Sequence, residues 1–291
     1  MHFIGQICDF VRPANPLSGI VPSRAEKNDC AIPLFAIEYR HCMEKGGGIL
    51  QHCDRLWPGG PVFFYDDALF PPVTDTFLLS AFTRTKAGER VCDLGAGTGL
   101  LGLLLMVRQG ELTLHNVELQ PAALALAEKT MEENNLAAHQ HCADLRALNG
   151  ILPAGNFDLV VSNPPYFAQG HGYAPRSDAL RLARGEAGCT IEEVCAAAGR
   201  LLRWGGRLSV VYRPERLCDL LWAMRQAGIE PKRLRTVQST PEAAPSLLLC
   251  EGRRGGKPGL SMEPPLLLKN ADGGDSEELH DIYFRSRNGD R

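Results

Sequence analysis

The 291-residue sequence predicts an α/β fold, a seven-stranded, mostly parallel sheet with helices on both faces and an antiparallel final strand. Three observations carry that expectation. From Phe63 onward, short apolar runs alternate with longer helical stretches. One apolar run leads directly into the glycine-dense Gly95-Ala96-Gly97-Thr98-Gly99 and then into a second apolar stretch, the pattern of strand, loop and helix. Near the carboxyl end two strand-like runs follow each other with no helix between them, so they form a hairpin.

Each element has a local cause. Phe63-Phe64-Tyr65 reads as a short strand, and Asp75 to Phe82 as a short helix. Strand 90–94, helix 99–109, strand 112–118, helix 121–135, a short strand near 138–142 and strand 157–162 follow. Pro121 suits the first turn of its helix, where a missing N–H costs nothing. Thr190 caps the helix Ile191 to Leu202, with Glu193 at the reciprocal capping position. Strand 206–212, helix 214–227 and strands near 232–238 and 246–251 complete the alternation.

The ends read differently. Residues 1–60 carry scattered prolines, Gly46-Gly47-Gly48 and no sustained periodicity, and are expected to be a poorly ordered N-terminal extension. The α/β domain is expected over 61–258, followed by a polar, acidic C-terminal tail over 259–291.

Composition narrows the classes. Apolar residues make up 44% and charged residues 22%, ordinary values for a globular chain with a substantial core. No apolar run reaches the roughly 18–20 residues of a membrane span, and the N-terminus lacks the order of a signal peptide. A cytoplasmic protein is expected, with a monomer favoured. The ten cysteines form no C-x-x-C, and no histidine pair supplies zinc spacing, so core thiols and no metal are expected. Net charge is −3, yet residues 164–258 hold fifteen Lys/Arg against nine Asp/Glu, while 1–163 hold twelve against eighteen. That basic excess suits a phosphate backbone, although solvated helix and strand faces produce similar clusters.

Two motifs carry chemistry. Asn163-Pro164-Pro165-Tyr166 follows the apolar run Phe157 to Ser162. The prolines end the strand and fix the backbone. The Asn163 side chain and the Pro164 carbonyl then form a rigid pair of acceptors for a planar amine, with the Tyr166 ring placed to stack on it. The bland alternative is a tight turn after a strand. Upstream, Arg90 to Leu94 runs into the glycine loop, and the next strand ends on Glu118, a carboxylate suited to ribose hydroxyls. Gly97 to Gly102 also fits G-x-G-x-x-G, which keeps a nicotinamide enzyme in contention, although no hydride-transfer pair is evident. Asp93 before the glycines makes D-x-G-x-G-x-G, which resembles the first motif of S-adenosylmethionine-dependent methyltransferases.

With both motifs placed, residues from about 60 to 285 resemble the bacterial family that methylates adenine N6 at position 37 of a valine tRNA. Thr74 to Leu79, Asp93 to Gly99 and Asn163 to Phe167 carry the resemblance, with Ala183-Arg184-Gly185-Glu186, Tyr212 to Leu217 and Glu251 to Lys257 as more particular stretches. Gly185 stands where histidine is expected, and the first sixty residues have no counterpart. The resemblance implies a Rossmann-like class I methyltransferase fold and S-adenosylmethionine as cofactor. It implies that Asp93, Gly95, Gly97 and Gly99 line the cofactor loop, Glu118 holds the ribose, Asp144 bonds the cofactor's adenine amine, and Asp75 and Thr76 close over the cofactor. Asn163, Pro164, Pro165 and Tyr166 would form the catalytic site. Arg176, Arg184, Arg253, Arg254 and Lys257 would bind RNA, with the anticodon loop of a tRNA as partner. The rivals are a glutamine N5-methyltransferase of release factors, a guanine N2 rRNA methyltransferase, an adenine-directed DNA methyltransferase, and a cofactor-binding protein without catalysis.

Overall fold

In the computed structural model, residues 51–66, 69, 72–165 and 189–284 are described. All belong to the unit Pro33–Arg291; the other unit of the chain is Met1–Ile32. Most of the expected N-terminal extension therefore lies outside the described residues.

In chain order the elements are β1 (Gln51–Arg55), β2 (Val62–Asp66), α1 (Thr74–Phe82), β3 (Arg90–Leu94), α2 (Leu100–Arg108), β4 (Thr113–Glu118), α3 (Pro121–Glu133), β5 (Ala138–Cys142), β6 (Phe157–Ser162), α4 (Ile191–Leu201), β7 (Leu202–Tyr212), α5 (Leu217–Gln226), β8 (Ile229–Gln238), β9 (Leu247–Arg254), β10 (Ser261–Met262), β11 (Leu266–Leu267) and α6 (Glu277–Ile282). The main sheet runs β10-β8-β9-β7-β6-β3-β4-β5, and β11 also pairs with β8. Strands β3 to β7 are mutually parallel. The antiparallel strand lies inside the sheet: β9 is antiparallel to both β7 and β8. With no helix between β8 and β9, the chain can only turn back on itself.

The connection order reverses at β3. The chain moves from β3 to β4 and β5 on one side, then returns to β6 and β7 on the other. In open α/β sheets the crevice at such a reversal, beyond the carboxyl ends of the strands, is where ligands bind. Helix α2 lies close behind it, with Leu100 to Met106 all buried. Its tight approach depends on Gly102, where a Cβ would fall 2.6 Å from Leu114 and 3.0 Å from Asn116. The expected capping box on α4 is present, with Thr190 and Glu193 bonding each other's backbone N–H.

Two regions differ from expectation. The boundary expected at residue 61 falls within the β1–β2 hairpin. An exposed strand edge leaves backbone donors unpaired. On β2 the Val62 N–H donates to Asn134 Oδ1 at 2.8 Å and the Phe64 N–H to Thr130 Oγ1 at 3.1 Å, which seals the hairpin onto α3. The tail expected over 259–291 is, up to residue 284, folded onto the sheet as β10, β11 and α6. Phe284 stacks on Trp57 at 4.0 Å, and the Arg108 guanidinium lies 4.4 Å from its ring. Tyr283 packs on Phe77 at 4.6 Å and bonds Thr74 Oγ1 at 3.0 Å.

Candidate active site

The site forms where β3 and β6 end side by side. Their register pairs Asp93 with Val161. One residue further on, Ser162 Oγ donates to the Leu94 carbonyl at 2.7 Å in a buried bond. The glycine loop leaves β3 at that point, and Asn163 leaves β6. The two motifs, far apart in sequence, therefore share one rim.

The loop glycines differ in what they do. Gly95 has φ +74, and a Cβ there would meet nothing within 4 Å, so the backbone lies open to a ligand. Gly99 has φ +83, and its Cβ would fall 2.8 Å from that of Ala127, so this glycine serves the packing of α2 against α3. Gly97 presents its N–H inward, to Glu118 Oε2 at 2.9 Å.

The acidic groups differ as well. Asp93 is buried, its Oδ2 has no hydrogen-bond partner, and burial together with the nearby Glu118 pushes its carboxyl up to about 8. Glu118 is raised by burial, against which the amides of Gln120 and Gly97 act; Gln120 N–H donates to Oε1 at 2.9 Å. A buried carboxyl that is bonded by the Gly102 amide but keeps one oxygen unpaired, with a second carboxyl beside it, suits a cationic ligand. This fits the sulfonium and ammonium groups of S-adenosylmethionine, and Gly95 leaves room for its approach.

The other expected residues adjoin this rim, Asp144 just after Ala143, whose N–H donates to the Glu118 carbonyl at 3.0 Å. Asp144 caps the turn Leu145–Ala147 through Arg146 N–H at 2.9 Å. It also holds the Arg146 guanidinium with both oxygens, at 2.9 Å to Oδ1 and 2.6 Å to Oδ2, which lowers its pKa. Its carboxylate is thus already engaged by an arginine that sequence reasoning did not single out. Asp75 stands in the first turn of α1. Thr76 is buried, and Asn163 Nδ2 donates to its Oγ1 at 3.0 Å, so the structure joins a residue expected over the cofactor to one expected at the substrate. Pro164 is buried beside Asn163, and Pro165 comes next in the chain. Tyr166, Phe167, Arg176, Arg181, Arg184 and Gly185 lie outside the described residues.

The basic residues at the end of β9 are set back from this rim. Arg253 pairs with Arg207 on β7, three residues before Val210, which pairs with Ser162. At roughly 3.3 Å per residue this is about 10 Å back along the strands, and β9 runs further away from there. Arg254 Nη1 donates to the Leu202 carbonyl and, at 3.4 Å, to that of Arg200, so it finishes the turn from α4 into β7. Arg233 lies between Glu251 and Glu263, at 3.3 Å and 2.7 Å, and Arg235 pairs with Glu278. These two arginines, which the charge count assigned to the basic excess, are consumed by carboxylates within the fold. Arg253 and Lys257 stay exposed at the far rim, with Arg253 Nε donating to the Gly205 carbonyl at 3.1 Å, and Trp204, whose indole lies over Gly255, is 75% exposed.

Comparison with known proteins identifies the family. The sequence matches the family described as methyltransferase small domain over residues 73–225. It is 30% identical over 211 residues to the tRNA1(Val) (adenine(37)-N6)-methyltransferase of Tolumonas auensis, covering 71% of this chain and 85% of that protein. It is 33% identical over 224 residues to the protein of the same name from Dickeya chrysanthemi, covering 71% and 84%. Among solved structures, a predicted O-methyltransferase from Agrobacterium tumefaciens shares the fold, with a TM-score of 0.60 at 20% identity over 72% of this chain and 96% of that one. Two motifs on one rim, the family match and these relatives agree: the chain belongs to the methyltransferase small domain family and, within it, to the tRNA1(Val) (adenine(37)-N6)-methyltransferases.

Proposed function

We propose that this S-adenosylmethionine-dependent methyltransferase methylates N6 of an adenine in tRNA, at position 37 in the anticodon loop as named for its relatives. The observation that carries the reading is Asn163 standing next to the glycine loop across the Ser162–Leu94 bond. Asp93, Gly95, Gly97 and Glu118 would hold the cofactor, with Asp75 closing over it. When bound, the cofactor supplies an electrophilic methyl group.

The chain's own residues supply position. The N6 lone pair of adenine is delocalised into the ring and is a poor nucleophile. Asn163 Oδ1 and the Pro164 carbonyl accept its two N–H bonds and favour a more tetrahedral nitrogen. Pro165 fixes that turn, and Tyr166 stacks on the base. The methylated nitrogen is acidic and sheds its proton without a strong base, so alignment carries most of the rate. The target nucleotide leaves its stack to enter, which is easiest in a loop.

The tRNA backbone is proposed to reach Arg176 and Arg184, which follow the Asn163 motif in the sequence, and Arg253 and Lys257 at the far rim. Arg254 has a structural task first. The enzyme is proposed to act as a monomer in the cytoplasm; among the described residues no helix is long and apolar enough to cross a membrane.

The test supplies radiolabelled S-adenosylmethionine to undermodified tRNA and, separately, to release factor, and identifies the labelled product. N6-methyladenosine is expected. N2-methylguanosine or N5-methylglutamine would overturn the adenine assignment.

A further inference from the structure

We infer that Thr76 is a positioning residue that sets the polarity of Asn163, and is not primarily a cofactor ligand. The inference rests on the reading of Asn163 as an acceptor for the reacting amine. A primary amide has a donor end and an acceptor end of nearly the same shape. Only the acceptor end serves an amine substrate, so something must hold the group the right way round. In this structure Asn163 Nδ2 donates to Thr76 Oγ1 at 3.0 Å. That bond occupies the donor end and turns Oδ1 to the other side of the amide.

The backbone on both sides of Asn163 is restrained. Ser162 anchors the preceding backbone to Leu94, and Pro164 and Pro165 restrict the backbone on the carboxyl side. Within that frame Thr76 holds the donor end of the Asn163 amide. Thr76 is itself held in place. It lies in the first turn of α1, next to the fully packed Phe77, Leu78 and Leu79. The C-terminal segment clamps the same turn, through Tyr283 on Phe77 and through its hydroxyl on Thr74.

A hydroxyl can donate as well as accept, so the polarity depends on where its proton goes. Helical Ser and Thr commonly donate to a carbonyl one turn back. Ser80 in α1 and Thr83 just after it do so, to Phe77 at 2.7 Å and Leu79 at 2.8 Å. At Thr76 the bond to the amide itself gives the sense, with Oγ1 presenting a lone pair to Asn163 Nδ2 at 3.0 Å. Removing it lets the amide turn its NH2 toward the substrate, where it repels an incoming amine.

The test is a double-mutant cycle in the full chain with Thr76→Val, Asn163→Ala and the pair, alongside Thr76→Ser and Thr76→Ala. Turnover and KM are measured on undermodified tRNA, and S-adenosylmethionine affinity by calorimetry. Thr76→Val is expected to lower kcat about tenfold, the effect of one lost orienting hydrogen bond, with cofactor Kd within about twofold. Thr76→Ser, which keeps the hydroxyl, restores most of the turnover. In the Asn163→Ala background, Thr76→Val adds no further loss. Thr76→Ala removes the hydroxyl without adding bulk, so the result stands if the valine variant folds poorly. A cofactor Kd that weakens as much as turnover falls, or losses from Thr76 and Asn163 that simply multiply, would overturn the inference. Wild-type enzyme that leaves tRNA adenine unlabelled refutes the substrate reading instead. The cycle then runs on whichever amine it does label.

Discussion

Ser162 Oγ donates to the carbonyl of Leu94 at 2.7 Å, and this bond joins the ends of β6 and β3 at the reversal point of the sheet. Ser162 has no exposed surface, so nothing else is at hand for the Leu94 carbonyl if the hydroxyl is lost. Ser162→Ala should therefore destabilise the enzyme by about 1–3 kcal/mol, the cost of stranding a buried acceptor. It should also lower turnover, because the glycine loop and Asn163 lose their common brace. Urea unfolding followed by methyl-transfer assays checks both. Stability within about 0.5 kcal/mol of wild type would show that the bond is dispensable.

Asp93 makes cofactor binding depend on pH. Its carboxyl titrates at about 8 in the ligand-free fold, against 3.8 ordinarily, because it is buried beside Glu118. The folded state thus holds a proton that the unfolded chain releases. The stabilising contribution is complete below pH about 4 and is lost as pH rises through about 8, with a slope of up to about 1.4 kcal/mol per pH unit. A cationic ligand favours the ionised form, so affinity for S-adenosylmethionine should climb with pH and level off above about 8. Calorimetry from pH 6 to 9 reads this directly, and Asp93→Asn should flatten the curve. A flat curve in wild type would contradict it.

His115 works in the opposite direction. It is buried on β4, stacked on His139 at 4.4 Å, with its Nδ1 3.0 Å from His141 Nε2. Burial, then the charges of His139, His141 and Arg90, lower its pKa from 6.5 to about 4. A depressed histidine contributes stability above its unfolded value and loses it as pH falls from 6.5 toward about 4. His115→Phe keeps a flat ring against Phe157 and cannot titrate. Over that pH range its unfolding free energy should decline less steeply than wild type. Parallel declines would remove His115 as a cause.

Much of this was legible in the sequence, for identifiable reasons. The strands and helices between Phe63 and Arg254 have strong periodicity and explicit stops, such as Pro121 at a helix start and the Thr190–Glu193 cap. The pairing of Asp93 and Asn163 at one rim followed from two motifs that each end a parallel strand. What remained hidden is set by tertiary contact. The hairpin strand β1 has no apolar alternation of its own and is stabilised through its partner β2, which is sealed by Asn134 and Thr130. Residues 261–284 carry many polar side chains and short strands, and they are held by the buried Leu266, Leu268, Leu279, Ile282, Tyr283 and Phe284 and by the ion pairs of Glu263 and Glu278. Charge counting also could not tell a surface arginine from one such as Arg233, held between two glutamates.

That last distinction separates the basic residues of the carboxyl half. Arg253 and Lys257 are exposed, whereas Arg254 spends its guanidinium on the carbonyls of Leu202 and Arg200. If the far rim takes tRNA phosphates, Arg253→Ala with Lys257→Ala should weaken tRNA binding and flatten its salt dependence by about one unit of slope for each phosphate no longer neutralised. Cofactor affinity should stay as in wild type and unfolding free energy within about 0.5 kcal/mol of it, because neither side chain is part of the site or the core and the bond from Arg253 Nε to the Gly205 carbonyl at 3.1 Å is exposed. Arg254→Ala should do the reverse, lowering stability by about 1–3 kcal/mol as the α4–β7 turn loses its donor, with little change in salt slope. Binding titrations at several salt concentrations, run beside urea unfolding, separate the two effects. A salt slope that is unchanged in the double variant would confine tRNA contact to the Asn163 rim and leave the far rim as ordinary solvated surface.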